Sequence, residues 1–356
     1  MCRWRMAAIA AMLAALSVFL VAPPAGAGRA RPVTWHLVYT APRTYEIQGI
    51  AAVSKSQAWA FGTVYGAANA VVRHFYRRWN GSSWQTANIP AAAGIFPGAI
   101  QASSASNVWI FGDNDQTETG VAVVYNGQGW TAMSAPLGVE SELVAGSTDV
   151  WVTTSVGTAT IATHWNGSRW QPYTVEGHLK LAGGGSRPWL VGVAESGRPG
   201  QTVSLEVVDR WSGSRWQQID APARTAANVV GVGAPDGRLW LATQARDNGR
   251  WLLYRRAGSS WRRLATPRSF VPGTSPANFP PVFDGRDGFW NPPFHWTGNR
   301  WVNTAPGMPV KPRWLNTFWY NNVAPVPGTS SVWAVVLANQ ANGTARSGIA
   351  VYGPTP

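Results

Sequence analysis

The stretch SASNVWIFGDNDQTETGVAVVYNGQGWTAMSAP, residues 104–136, decides how this chain is read. It leaves a polar turn and enters an apolar run at Trp109. It then crosses a polar loop, resumes as an apolar run to Tyr125, breaks at Asn126-Gly127 and restarts at Trp130. Short apolar runs separated by Gly- and Asn-rich breaks indicate antiparallel strands. Asn-Gly favours a two-residue hairpin turn with positive φ at both centres.

Outward from this stretch the same cassette recurs. The first half, a short apolar run on a Trp just after a turn, appears seven times: SKSQAWAFG at Trp59, then Trp109, GSTDVWVTT at Trp151, SRPWLVG at Trp189, PDGRLWLAT at Trp240, GRDGFWN at Trp290 and TSSVWAVV at Trp333. The second half appears six times: WNGSSW at Trp84, YNGQGW at Trp130, WNGSRW at Trp170, WSGSRW at Trp216, RAGSSW at Trp261 and WTGNRW at Trp301. Repeats of about 40–50 residues with four short strands each are the pattern of a β-propeller. The predicted fold is all-β: a seven-bladed β-propeller with four-stranded blades. The missing seventh second half has a source. The chain ends in GIAVYGPTP, with Tyr352 where the motif should start, and an orphan strand, TWHLVYTAP, stands near the beginning. Trp35 is therefore expected to enter the last blade beside Val351 and Tyr352, closing the ring and removing free sheet edges. Deleting 32–42 should then weaken the whole ring.

The first 30 residues read MCRWRMAAIAAMLAALSVFLVAPPAGAGRA. Arg3 and Arg5 precede an apolar run to about Val21, and Ala25 and Ala27 follow as small residues, so 1–27 reads as a secretory signal peptide. The run is shorter than the roughly 20 residues of a spanning helix. The expectation is a secreted chain, 28–356, extracellular or cell-wall associated, forming one propeller domain without a transmembrane anchor and acting as a monomer. A retained anchor is the competing reading. The single cysteine, Cys2, falls inside the signal, so the remainder can form no disulfide, thiolate metal site or cysteine nucleophile.

Beyond the signal there are 27 basic and 16 acidic residues, net +11, and Lys is limited to Lys55, Lys180 and Lys311. The Arg excess reads first as a solvated surface, with an anionic polymer or glycan as the partner that an exported basic chain suits. Nucleic acid is not expected as a partner, because the repeat accounts for the aromatics and export argues against it. The repeated Trp residues themselves read as packing between blades, since every blade must fill the same gap.

The pattern resembles kelch-type propellers, and the Trp-rich secreted propellers of actinobacteria. Kelch repeats place an aromatic at the end of strand three and a Trp in strand four, as Tyr125 and Trp130 stand here. The double Gly that kelch repeats carry after strand two is missing from most blades, and Gly183-Gly184-Gly185 precedes its Trp rather than following it. The resemblance implies topology, not activity.

Catalytic signatures are sparse. The Tyr–Cys copper site of galactose-oxidase-like propellers needs a Cys, and the N-G-S-x-W turns lack the Asp of sialidase boxes. His164 and His295 occupy a repeat position before the strand-three Trp and read as packed. The expected cofactor complement is none. Asp113, Asp115 and Glu118 form one acidic loop loosely like a calcium site. Glu140 and Glu142 alternate, so they share one face of a strand. The candidate ligand site is the unrepeated loop entering the last blade, with Lys311, Arg313, Trp314, Phe318, Trp319, Tyr320, Asn321 and Asn322. The functional expectation is a non-catalytic binding module for carbohydrate or cell-wall polymer. A glycan-acting hydrolase or lyase and a protein-interaction scaffold are the alternatives.

Overall fold

The computed structural model describes residues 34–353 apart from 115, 197–202, 269, 271–280, 292–293, 305–317, 328, 330 and 340–344. Seven four-stranded antiparallel sheets make up a seven-bladed propeller. Blade one spans 45–87, blade two 95–134, blade three 141–176, blade four 178–218, blade five 228–264 and blade six 282–303. Blade seven takes Phe318–Pro325, Val332–Asn339 and Ala345–Tyr352 from the end of the chain and Trp35–Thr40 from its start. First strands of successive blades approach one another around most of the ring, including blade seven against blade one, and the first strand of blade five meets the second of blade four, so the first strands are innermost. Blade six is the most reduced, with strands of two or three residues.

Closure follows the expected register: Trp35 faces Tyr352 and His36 faces Val351. The pair copies what a covalent hairpin produces elsewhere. Trp79 faces Trp84, Tyr125 faces Trp130, Trp165 faces Trp170, Trp211 faces Trp216 and Trp296 faces Trp301. Blade five alone differs, with Arg256 opposite Trp261.

These pairs receive the Trp of the preceding blade. Trp59 meets Trp130 at 5.1 Å, Trp109 meets Trp170 at 6.2 Å, Trp151 meets Trp216 at 5.2 Å and Trp333 meets Trp84 at 5.4 Å. All seven strand-two Trp residues are buried. Edge-to-face contacts of this kind add to the area that each ring removes from water. Beside each such Trp sits its strand-three partner. His164 stacks on Trp151 at 4.2 Å and His295 on Trp290 at 3.9 Å, while Arg78, Arg210 and Arg255 lie over Trp59, Trp189 and Trp240. Much of the arginine and both of these histidines are therefore packing groups. Each histidine is anchored by a carboxylate, Asp149 or Asp284, at 2.9 Å.

The hairpin turns depart from the expected geometry. Gly81, Gly127 and Gly167 have positive φ, but Asn80, Asn126 and Asn166 do not. Each Asn instead flanks the turn and accepts two backbone N–H bonds through Oδ1, from Ser82 and Ser83 in the case of Asn80. The side chain supplies the acceptor that a second turn carbonyl would have offered, so only the Gly needs the left-handed conformation.

Strand-four indoles also latch neighbouring blades. Trp170 Nε1 donates to Ser134 O at 2.8 Å and Trp301 Nε1 to Ala265 O at 2.8 Å. Trp216 Nε1, in the same repeat position, is buried without an acceptor among the described residues. Trp170→Phe should therefore cost about 1 kcal/mol more than Trp216→Phe, the net worth of one hydrogen bond. Urea midpoints of the two variants measure it, and equal losses would remove the latch from the account.

Candidate functional site

In an antiparallel sheet of this order, the links between blades and the strand-two-to-three turns share one face. The other turns share the opposite face. On the first face, the structure concentrates charge in a way that no repeat requires. Seven arginines and one aspartate stand in 246–268, with Arg255 and Arg256 at the other end of the third strand. Arg246, Arg250, Arg262, Arg263 and Arg268 are exposed.

The turn of blade five presents Arg250. Ala245 N donates to Arg250 O at 2.9 Å, Gly249 turns with φ +65, and Asn248 Oδ1 accepts from Arg250 N at 2.9 Å. Arg263 stands on the outer strand Ser260–Leu264, opposite Tyr254. With Trp251, Leu252 and Leu264 these two arginines line an open cleft of about 330 Å³. Trp251 is buried and forms the floor rather than an exposed stacking platform. Neither Arg250 nor Arg263 is in an ion pair among the described residues. Two free planar forks over an apolar floor match a carboxylate- or phosphate-bearing chain.

The opposite extreme lies in blades two and three. No Lys or Arg occurs from 79 to 168, while Asp113, Asp115, Glu118, Glu140, Glu142 and Asp149 do. Phe96, Leu137 and Val156 are exposed there as well.

The expected ligand residues divide. Lys311, Arg313 and Trp314 lie outside the described residues. Phe318, Trp319, Tyr320, Asn321 and Asn322 belong to a strand, not a loop: Phe318–Pro325 is the innermost strand of blade seven, with an irregularity between Tyr320 and Asn322. Three consecutive aromatics favour pleated pairing over a free loop, and Val332–Asn339 provides the partner strand.

Of the acidic loop, Asp115 lies outside the described residues. Asp113 accepts from Gly138 N at 3.4 Å, and Glu118 is exposed with φ +51. The strands flanking it run through Asn114 and resume at Thr119, so the loop is a tight turn. Among the described residues no three His, Cys, Asp or Glu gather as a metal site.

Glu140 is exposed just before its strand, and Glu142 lies in the wall of the ring, where Gln101 Nε2 donates to it at 3.3 Å. Desolvation raises the pKa of Glu142, and the Gln101 bond and the Lys180 charge oppose that rise. Asp284 moves the other way. Burial pushes it up, but His295 and the N–H groups of Arg286 and Gly288 outweigh that and hold it below its ordinary range.

Two buried carboxylates in blade four were not anticipated from sequence. Glu206 accepts from Thr243 Oγ1 at 3.0 Å and Ala223 N at 3.1 Å, and burial pushes its pKa up to about 7. Burial also raises Asp209, to about 6.

No family model matches the chain, and no curated protein matches it. Solved structures do. YCF48 bound to a D1 peptide aligns over 88% of this chain and 96% of that one at 15% identity, TM-score 0.50. The GH74 xyloglucanase of Xanthomonas campestris aligns over 88% of this chain and 55% of its own at 12% identity, TM-score 0.42. The sialidase of Trypanosoma rangeli aligns over 87% and 54% at 10% identity, TM-score 0.38. At such identities the likeness concerns the fold alone. The blade-five cleft was legible as a run of arginines in 246–268. The unrepeated aromatics at 314–320 draw the expectation elsewhere, because charge on a basic chain reads first as solvated surface.

Proposed function

We propose that this propeller is an exported binding module for an anionic polymer, an acidic glycan or a phosphate-bearing wall polymer, and that the arginine-lined cleft of blade five is its contact surface. The observation that carries the reading is the pair of unneutralised guanidinium groups, Arg250 and Arg263, over an apolar floor. The acidic sector over 79–168 supports it too, because a polyanion would be steered away from blades two and three and toward blade five. The signal-like 1–27 segment supports placement outside the cell. The Trp-rich repeats agree with the kelch-like and actinobacterial secreted propellers they resemble.

The chain from residue 28 should be retained on immobilised polygalacturonate or poly(glycerol phosphate), not on neutral dextran, and salt should elute it. Arg250→Glu with Arg263→Glu should weaken retention at least about tenfold, the value of one charge-assisted hydrogen bond. Equal retention on dextran, or an unchanged double variant, would sink the proposal. Shortened polymer in the eluate would favour the hydrolase reading, for which Glu142, on the innermost strand of blade three, is the candidate carboxylate. A scaffold reading rests on the exposed Phe96, Leu137 and Val156 beside the acidic residues, and on the peptide held by YCF48.

A further inference from the structure

Six of seven third strands end in an aromatic opposite the strand-four Trp, and blade five ends in Arg256. Arg256 enters the interface with blade four, its Cζ 5.8 Å from the ring centre of Trp189 and 5.5 Å from that of Trp261. Arg210, the cross-strand partner of Trp189, lies 4.8 Å over the same ring. Two guanidinium groups thus converge on one indole. Neither forms an ion pair among the described residues. Arg210 Nε and Arg256 Nη1 are shut off from solvent and find no acceptor in the described protein.

The next interface provides the comparison. There Arg238 and Arg255 share the ring of Trp240 in the same way, at 5.6 and 5.7 Å. Arg238 is neutralised by Asp236 at 2.7 Å and Asp287 at 2.6 Å. At Trp189 no carboxylate takes that part. Burial, and next the charge of Arg210, hold the Arg256 pKa below the usual guanidinium range, and the exposed Asp220 offsets this only in part.

Glycines stand at this seam between blades four and five. A Cβ on Gly237 would fall 2.4 Å from Arg210 Nη2, and Gly183 lies so near Gly233 that a Cβ there would meet Gly233 O at 2.5 Å. Arg210 and Arg256 are half-buried, and a like-charged pair with one shielded N–H on each is relieved when an anion joins it.

We propose that Arg210 and Arg256 form an anion-binding site between blades four and five that takes a phosphate or carboxylate group. The site stands at the opposite end of the blade-five strands from Arg250 and Arg263 and does not depend on the polymer reading. The group can arrive as a free ion or as part of a chain, and the chemistry of recognition is the same.

Thermal unfolding of the chain from residue 28 tests this in sodium phosphate against sodium chloride at matched ionic strength. Arg256→Trp restores the aromatic of the other blades and so keeps the packing; Arg210→Gln is the second variant. Phosphate should raise the wild-type midpoint by about 2–4 °C, as ligand linkage requires for a domain of this size, and should leave both variants unmoved. In chloride, Arg256→Trp should be at least as stable as wild type. The Arg250→Glu, Arg263→Glu variant should keep the full phosphate shift, which separates failure of this site from failure of the cleft. Adding poly(glycerol phosphate) at equal phosphate identifies the source: a larger shift assigns the site to a polymer-borne group, an equal or smaller one to a free ion. An equal phosphate shift in wild type and Arg256→Trp, or no shift in wild type, overturns the proposal.

Discussion

Replacing Trp35 with Ala should destabilise the whole ring by about 3–5 kcal/mol, the cost of emptying a buried aromatic site. Against a typical stability of about 5–15 kcal/mol for a folded domain, this is a large share. Trp35 is 1% exposed and packs on Tyr352 at 5.4 Å, in the cluster that also holds Trp290 and Val332. Its strand does more than fill that gap. Ala41 N donates to Ser347 O at 2.8 Å, and Ser347 Oγ accepts from Ile47 N of blade one. Deleting 32–42 removes the Trp35 packing and the Ala41–Ser347 bond together and leaves Ala345–Tyr352 as an open edge. The expected result is one cooperative unfolding transition at much lower urea for Trp35→Ala, and aggregation of the deletion variant. An unfolding curve in which blade seven melts separately, with the main midpoint unchanged, would show that closure does not hold the ring.

The second large effect is on pH. Glu206 has its pKa raised to about 7 from 4.5, so the folded chain holds a proton there that the unfolded chain releases between those values. Stability from this group is therefore present below about pH 4.5 and is lost as pH rises through about 7. Fully developed, the loss is about 3 kcal/mol at 1.36 kcal/mol per pKa unit. Asp209, raised to about 6 from 3.8, acts in the same direction over a lower window. Asp284, held low, opposes both only under more acidic conditions. The urea midpoint should accordingly fall between pH 5 and pH 8. Glu206→Gln should remove most of that slope and stabilise the protein at pH 8 by about 2–3 kcal/mol, since the amide can donate to Thr243 Oγ1 and accept from Ala223 N. A variant with the wild-type slope would rule out Glu206 as the titrating group.

The candidate site was less legible than the fold. Arg256 stands where the other five hairpin motifs begin with Trp or Tyr, yet nothing local indicates that Arg210 shares its indole. Separated by 46 positions, the two arginines become neighbours only when blade five is laid against blade four. Glu206 is illegible for the same reason, because its partner Thr243 comes from the next blade. The aromatic run 318–320 was read as a binding loop, since its partner strand, Val332–Asn339, is matched to it by pairing and not by adjacency.

What the sequence determined alone was the repeat: seven strand-two Trp residues, six hairpin motifs and one orphan strand, from which blade number, strand order and closure follow by counting. Those features are local and periodic, and each copy corroborates the others. Tertiary structure alone decided which charges are neutralised. Whether an arginine meets a carboxylate, as Arg238 does, or a second arginine, as Arg256 does, depends on side chains that blade packing brings within a few ångströms. At such separations the distance and exposure of the partner, and not the residue type, set the energy.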